Sequence, residues 1–498
     1  MEAPMSLVLI TVDCLRADHV GFLGYDRPTT PFLDGLAGES IVVENAIVAG
    51  APTYYSFPAI LASRYPLALG RDVIGLARGE ATIASVLRES GYATGAFLAA
   101  NPYLSRRFGY DAGFEVFRDF LEVGRDLAPT LPDETQPDAS APGRWNRRLR
   151  AASHKLGPVG ALYDEIYFQY CQRLAGSPAK SFDALRRFPS ADGIVKAASA
   201  WIRENQGRPL FLWLHFMDPH APYYPMAEAL DLMGDANLSS ARARYLNSYW
   251  NRGEIGTRGF MRHRKEVISL YDAGVRWVDS QVAVLVDLLR AVRRWEGCAL
   301  AVTADHGEEF LDHGGRYHPP NQLSEELIRV PLLLRVPGAA KAVQARGPVS
   351  LLHLAPTLLD ALNISSPASF RGRSHWKRLQ SGQIGDDRAV VECIHGCSNP
   401  FRPEQRMGAR VLAIREARYK LVLDFSSSRE ELFDLQADPG EFHPLAPQEQ
   451  KPARLRLLEG ARRHLVESVQ SRDATHRLDA RLHELQLEWA HSKKTISA

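Results

Sequence analysis

The chain has 498 residues, 45% apolar and 24% charged, an ordinary globular composition and enough length to build a core without staples. Lys plus Arg is 60 against 58 Asp plus Glu, and the net charge of +2 argues against a protein built to coat nucleic acid or an anionic membrane. The five cysteines (Cys14, Cys171, Cys298, Cys393, Cys397) are odd in number and mostly far apart, so a reducing, cytoplasmic setting is expected rather than a disulfide framework. No run reaches the roughly 18 apolar residues of a membrane span, and Leu7–Val12 is too short for a signal segment.

Ser6–Val12 is a continuous β-rich run, as a strand buried on both faces requires. Thr30–Gly38 reads as a short helix and Ile41–Ala46 as a strand. Ala81–Ser90 reads as a helix ending at Gly91, and Tyr92–Leu98 as the next strand. Residues 121–155, with Pro129, Pro132, Pro137 and Pro142, read as a loop or disordered insert, and within them Arg144–Arg150 is basic. Pro209–Phe216 and Cys298–Ala304 are further buried-type strands, with Val267–Arg290 as a long amphipathic helix between them. Residues 226–265 form a second irregular insert carrying Arg242, Arg244, Arg252, Arg258, Arg262 and Arg264. The inserts serve either as lids over an anionic substrate or as solvated surface. Alternation of strands and helices implies a mostly parallel α/β sheet flanked by helices.

Beyond residue 375 the pattern changes. Val390–Cys393, Val411–Arg415, Tyr419–Asp424 and Glu431–Leu435 read as a small antiparallel sheet. Residues 451–490 are charged and helical, and Leu478, Leu482, Leu485 and Trp489 share a face that docks on the body or on a second subunit. The expected division is a catalytic α/β domain at 1–374 with inserts at about 121–195 and 226–265, a sheet subdomain at 375–450 and a helical extension at 451–498.

Three strand ends carry groups suited to chemistry, where open α/β sheets place their sites. Asp13 follows the first strand, Asp218 and His220 follow Phe216, and Asp305-His306-Gly307-Glu308 follows Ala304. A carboxylate beside an imidazole makes a pair of metal ligands, and Gly307 allows a sharp turn. The bland alternative is capping of strand-to-helix turns. His313 and His318 follow closely. Thr53 and Ser56 offer hydroxyls before a helix, whose free N–H groups suit an oxyanion, unless they act as N-caps only.

Together these residues resemble the sulfatase branch of the alkaline-phosphatase superfamily. The resemblance rests on Ile10-Thr-Val-Asp13-Cys-Leu-Arg16-Ala-Asp18-His19, Gly24-Tyr25, Thr30-Pro31, Asp218-Pro-His-Ala-Pro-Tyr223, Thr303-Ala-Asp-His-Gly-Glu308 and Glu326-Leu-Ile-Arg-Val-Pro-Leu332. It continues through Ala355–Asp360, Arg418–Leu421 and Glu431–Gly440, so it runs from about residue 6 to 446. It implies an alkaline-phosphatase-like fold and a small-molecule anionic ester substrate, with no nucleic-acid partner. Asp13, Asp305 and His306 match the family's metal ligands. Counting back from Arg64-Tyr65-Pro66 places Thr53 on the nucleophile position, as a further ligand, and Ser56 on the motif serine. His220 matches the family histidine, and His318 falls where phosphonate-cleaving members carry lysine.

The departures redirect the chemistry. Oxidation of Thr53 would give a ketone, so formylglycine is not available to this chain. Phe57 stands for the motif arginine, Tyr55 for the proline and Cys14 for a second aspartate. The expected enzyme is a metal-dependent hydrolase or transferase of phosphate-type esters with Thr53 as nucleophile. His220 and His318 would bind the anion or protonate the leaving group, with His313 and Ser56 also on the substrate. One dication (Mn²⁺, Zn²⁺, Ca²⁺ or Mg²⁺) is expected, with a second at Asp218, His220 and His318 as an option. The competing readings are a sulfatase working without formylglycine and an anion-binding member without turnover.

Overall fold

The computed structural model describes residues 4–71, 73–121, 163, 165–166, 168–169, 181–253, 257–384 and 387–470. In chain order the strands up to residue 350 are β1 (Ser6–Val12), β2 (Ile41–Ile47), β3 (Ala93–Leu98), β4 (Val116–Arg118), β5 (Leu210–Phe216), β6 (Cys298–Ala304), β7 (Glu309–Phe310), β8 (Arg316–Tyr317), β9 (Arg329–Arg335) and β10 (Val343–Ser350). Eight of them form one sheet in the order β10-β2-β9-β6-β1-β5-β3-β4, and β7 pairs with β8 as a separate hairpin. Only β9 runs against the others.

The centre of the sheet follows from hydrophobicity alone. Every residue of β1, β5 and β6 is buried, and each strand is hydrogen-bonded along both edges. The parallel register of β6, β1 and β5 brings their carboxyl ends level, and the Asp13 amide extends the ladder by donating to the Phe216 carbonyl at 2.8 Å. The long helix Arg264–Ala291 packs behind the loop that leaves β5. A Cβ on Gly274 would stand 2.6 Å from the Asp218 carbonyl oxygen, so glycine is what lets helix and loop approach.

The strands expected from the apolar runs are present within a residue or two of their expected ends. β9 and β10 were not expected, for local reasons. β9 contains Pro331, normally excluded from a strand paired on both edges. The β2 register shifts between Val43 and Ala46, opposite Pro331, and the Pro331 carbonyl takes the Thr303 hydroxyl at 2.8 Å. β10 is interrupted by Gly347-Pro348, with a register shift between Ala345 and Pro348. Residues 226–265 are also corrected: they are helical at Ala227–Leu232, Ser240–Trp250 and Thr257–Met261. Their arginines hid the apolar face of Leu246, Tyr249 and Trp250. Arg242 pairs with Glu266, Arg252 with Glu165 and Arg264 with Asp312, so these three cations serve the fold. Most of the proline-rich insert, Arg144–Arg150 included, lies outside the described residues, as does Cys171. The other four cysteines are free.

The C-terminal sheet is antiparallel, β11 (Ala389–Ile394), β12 (Arg410–Arg415), β13 (Tyr419–Asp424) and β14 (Arg429–Asp434), in that order. The helix Lys451–Gln470 docks on it through Leu457 and Ala461, which cluster with Leu412, Ile414, Leu421 and Leu432. The stripe from Leu478 to Trp489 lies outside the described residues. No described helix is long and apolar enough to cross a membrane. A buried lysine joins the two sheets: Lys420 on β13 sits 2.8 Å from Glu441 and 3.4 Å from Glu325, just ahead of β9. Lys420→Met strands Glu441, while Arg415 still pairs with Glu325 at 3.3 Å, so chemical denaturation should show a loss of about 3 kcal/mol.

Candidate active site

Asp13 and Asp305 leave the carboxyl ends of neighbouring strands β1 and β6, and His306 follows Asp305. All three are fully buried, and one ligand atom from each lies within 4.8 Å of the others. His306 Nε2 is 3.6 Å from Asp13 Oδ1 and 3.7 Å from Asp305 Oδ2. The His306 Nδ1 hydrogen is directed at the Gly307 carbonyl, 2.8 Å away, which leaves Nε2 as a lone pair facing the carboxylates. Burial, with His318 beside it, lowers the His306 pKa to about 4 and keeps the ring neutral.

The two carboxylates respond in opposite directions. Burial would raise Asp13, but His220, His215 and His306 hold it well below the ordinary carboxylate range. Burial and then the Asp13 charge push Asp305 up. Asp305 Oδ2 is buried without a hydrogen-bond partner. An orphaned carboxylate oxygen, a second carboxylate and an imidazole lone pair fit a dication, which would let both acids ionise.

Thr53 begins the helix Thr53–Ala62, whose N-cap is Pro52, so neither Thr53 nor Ser56 is the cap. The Thr53 hydroxyl lies 3.1 Å from His306 Nε2 and also meets Asp305. The expected first ligand group, Asp13, Thr53, Asp305 and His306, is therefore brought together. Ser56, one turn on, is buried with its hydroxyl unpartnered among the described residues. Phe57, in place of the motif arginine, packs edge-on to His215 at 5.2 Å.

The histidines divide. His318 lies tilted against His306 (4.7 Å between ring centres) and His220 (5.4 Å), so both expected anion-binding rings reach the site. Although burial opposes it, Glu308 3.7 Å away raises the His318 pKa. The second ligand set does not form as expected. Asp218 turns away to accept the Ala191 amide at 3.2 Å, at the start of the helix Ala191–Glu204. It belongs to none of the ligand groups among the described residues; His220 instead groups with Asp13 and Cys14, and His318 with Cys14 and His306. His313 also lies elsewhere, beside Glu309 and Glu326.

Four residues escaped the sequence reading. Asn101 donates to Asp13 Oδ2 at 2.9 Å, and its own carbonyl is held by the Tyr103 amide at 3.0 Å. His215 lies 3.4 Å from the same Asp13 oxygen. Tyr271 donates to the Cys14 carbonyl at 2.8 Å and accepts from the Arg16 amide at 2.9 Å, bracing a turn in which Cys14 has φ 61°. Glu308 stands in a quoted motif but was given no role. His215 inside an apolar strand run was the available signal; Asn101 and Tyr271 had none.

A family profile described as Sulfatase matches residues 6–364. The chain belongs to the sulfatase family. A second profile, N-sulphoglucosamine sulphohydrolase, C-terminal, matches residues 316–465. The arylsulfatase of Clostridium perfringens is 25% identical to this chain, covering 94% of it and 95% of its own length. The multifunctional alkaline phosphatase superfamily protein PehA of Trinickia caryophylli is 21% identical, over 89% of this chain and 91% of its own. Among solved structures, the phosphonate monoester hydrolase of Agrobacterium radiobacter matches with a TM-score of 0.63 at 17% identity, over 94% of this chain and 96% of its own. A protein solved with its substrate D-glucosamine-2-N,6-O-disulfate gives a TM-score of 0.68 at 14% identity, over 94% of this chain and 99% of its own. The fold is thus the sulfatase fold, and this family member is an ester hydrolase; sulfatases are generally metal-dependent.

Asn101→Ala frees Asp13 to reorient, so titration with Mn²⁺ or Zn²⁺ should show about 10–100-fold weaker binding at an unchanged fold.

Proposed function

We propose that this sulfatase-family chain is a metal-dependent hydrolase of phosphate-type esters, such as a phosphodiester or phosphonate monoester, with Thr53 as its nucleophile. The observation that carries the reading is the Thr53 hydroxyl at the nucleophile position, 3.1 Å from His306 and in reach of Asp305, with no cysteine there to become an aldehyde. PehA and the phosphonate monoester hydrolase, both similar to this chain, lend support.

Asp13, Asp305, His306 and Thr53 would hold the dication, and carboxylates with one imidazole suit Mn²⁺ or Zn²⁺ at least as well as Ca²⁺ or Mg²⁺. When bound, such an ion lowers the pKa of a coordinated hydroxyl and neutralises charge growing on the transferred group. The chain's own residues do the rest. Asn101 and His215 fix Asp13, and the Gly307 carbonyl fixes the His306 tautomer. Thr53 Oγ, its proton already lost to solvent, bonds to phosphorus as the bond to the leaving oxygen breaks. His318, held toward its charged form by Glu308, protonates the leaving oxygen, and His220, kept neutral by burial, faces the anion. Water then cleaves the phosphothreonine and restores the hydroxyl.

The second reading is a sulfate-ester hydrolase using the same groups. It is favoured by the arylsulfatase similar over nearly the whole chain. Nitrophenyl phosphate, phosphodiester, phosphonate and sulfate esters, assayed with added metals, discriminate: phosphorus esters should turn over fastest. Thr53→Ala should reduce kcat at least about 10³-fold and abolish a mass-spectrometric phosphothreonine adduct, while Thr53→Ser retains part of the turnover and gives a phosphoserine adduct instead. Full turnover by Thr53→Ala would sink the mechanism, and preference for the sulfate ester would move the reading to the second.

A further inference from the structure

Outside the active site, Glu309, His313 and Glu326 each place one ligand atom within 4.8 Å of the others. Glu309 is fully buried on β7. Its Oε1 is held by the amides of His313 (2.6 Å) and Gly315 (3.2 Å), while Oε2 is buried without a hydrogen-bond partner and is the oxygen left for the cluster. Glu326 Oε1 lies 2.8 Å from His313 Nδ1 and accepts the Ser324 hydroxyl. The His313 ring is stacked on Phe442, at 5.4 Å and 27°, and its Nε2 has no partner either.

The His313 ring, 2.8 Å from Glu326, is the basic group beside these two carboxylates; among the described residues neither Glu309 nor Glu326 has a Lys or Arg ion-pair partner, although the Glu326 side chain is only 8% exposed. One imidazole stands against two carboxylates, so the cluster is still short of positive charge by one. The backbone is set before any ligand arrives, because a Cβ on Gly307 would lie 1.8 Å from the Glu326 carbonyl oxygen, so the chain at Glu326 is pressed against the turn after His306.

We propose that Glu309, His313 and Glu326 form a second divalent-cation site, distinct from the Asp13–Asp305–His306 group. Two carboxylates balance a dication, the imidazole giving up its proton to become the third ligand, and this donor set suits Zn²⁺. Glu309 and His313 lie at the start and Glu326 at the end of the segment 309–326, which carries His318. A cation there ties both ends of the segment together and holds His318 over the active site.

The test is zinc stoichiometry. The full chain and its variants are equilibrated with Zn²⁺, desalted and measured by elemental mass spectrometry, with circular dichroism to check the fold. Wild type should bind two equivalents, Asp305→Asn one, and the double variant Asp305→Asn/Glu326→Gln none. His313→Phe keeps a ring on Phe442 and serves as the second variant should Glu326→Gln unfold; in the Asp305→Asn background it too should bind none. Zn²⁺ should raise the melting temperature of Asp305→Asn and leave the double variants unmoved. A folded Asp305→Asn protein that binds no zinc overturns the proposal, as does zinc binding that survives both double variants.

Discussion

Two carboxylates buried side by side govern this structure. Asp13 and Asp305 end adjacent parallel strands, and their register leaves them no way to avoid each other. Buried together, both can be charged only if positive charge stands between or around them. The surroundings divide that task. His220, His215, His306 and the Asn101 amide face Asp13, whereas an Asp305 oxygen is left open toward the cluster. The need for a cation is thus a consequence of sheet register and burial, before any substrate is considered.

Around that pair the fold uses unusual backbone to hold the candidate ligands. Cys14 adopts a left-handed conformation directly after Asp13, and Tyr271 spans it with two hydrogen bonds. Arg16 reaches back to the Glu308 carbonyl at 2.9 Å and to Asp312 at 2.7 Å, coupling the turn after β1 to the turn after β6. Gly307 and Gly274 let the loops bearing Glu326 and His220 close in. Thr53, the proposed nucleophile, sits at the start of a helix, so its hydroxyl is positioned by a rigid element.

Legibility in the sequence followed the kind of signal. Strands buried on both faces, β1, β5 and β6, were plain because hydrophobicity alone specifies them. β9 was hidden by Pro331, which a register shift in the neighbouring strand accommodates, a compensation invisible in β9 itself. The helices of residues 226–265 were masked by arginines whose charges are answered by Glu165, Glu266 and Asp312, in two cases distant along the chain. In the site, Asp13, Thr53, Asp305 and His306 were readable from strand ends and motif spacing. Asp218 misled because a carboxylate after a strand looks the same whether it faces a metal or caps a helix.

By itself the amino-acid sequence determined the layered α/β architecture, the small antiparallel sheet after it, and the absence of any formylglycine precursor at Thr53, since these depend on local hydrophobicity, turn chemistry and residue type. Only the tertiary structure decided which polar groups meet. Asn101 and His215 reach Asp13, Asp218 leaves for the helix at Ala191, and His313 joins Glu309 and Glu326, because each pairing joins segments brought together by packing. Hydrogen-bond and ligand geometry acts over about 3 Å, and nothing in a linear pattern specifies that distance between residues far apart in the chain.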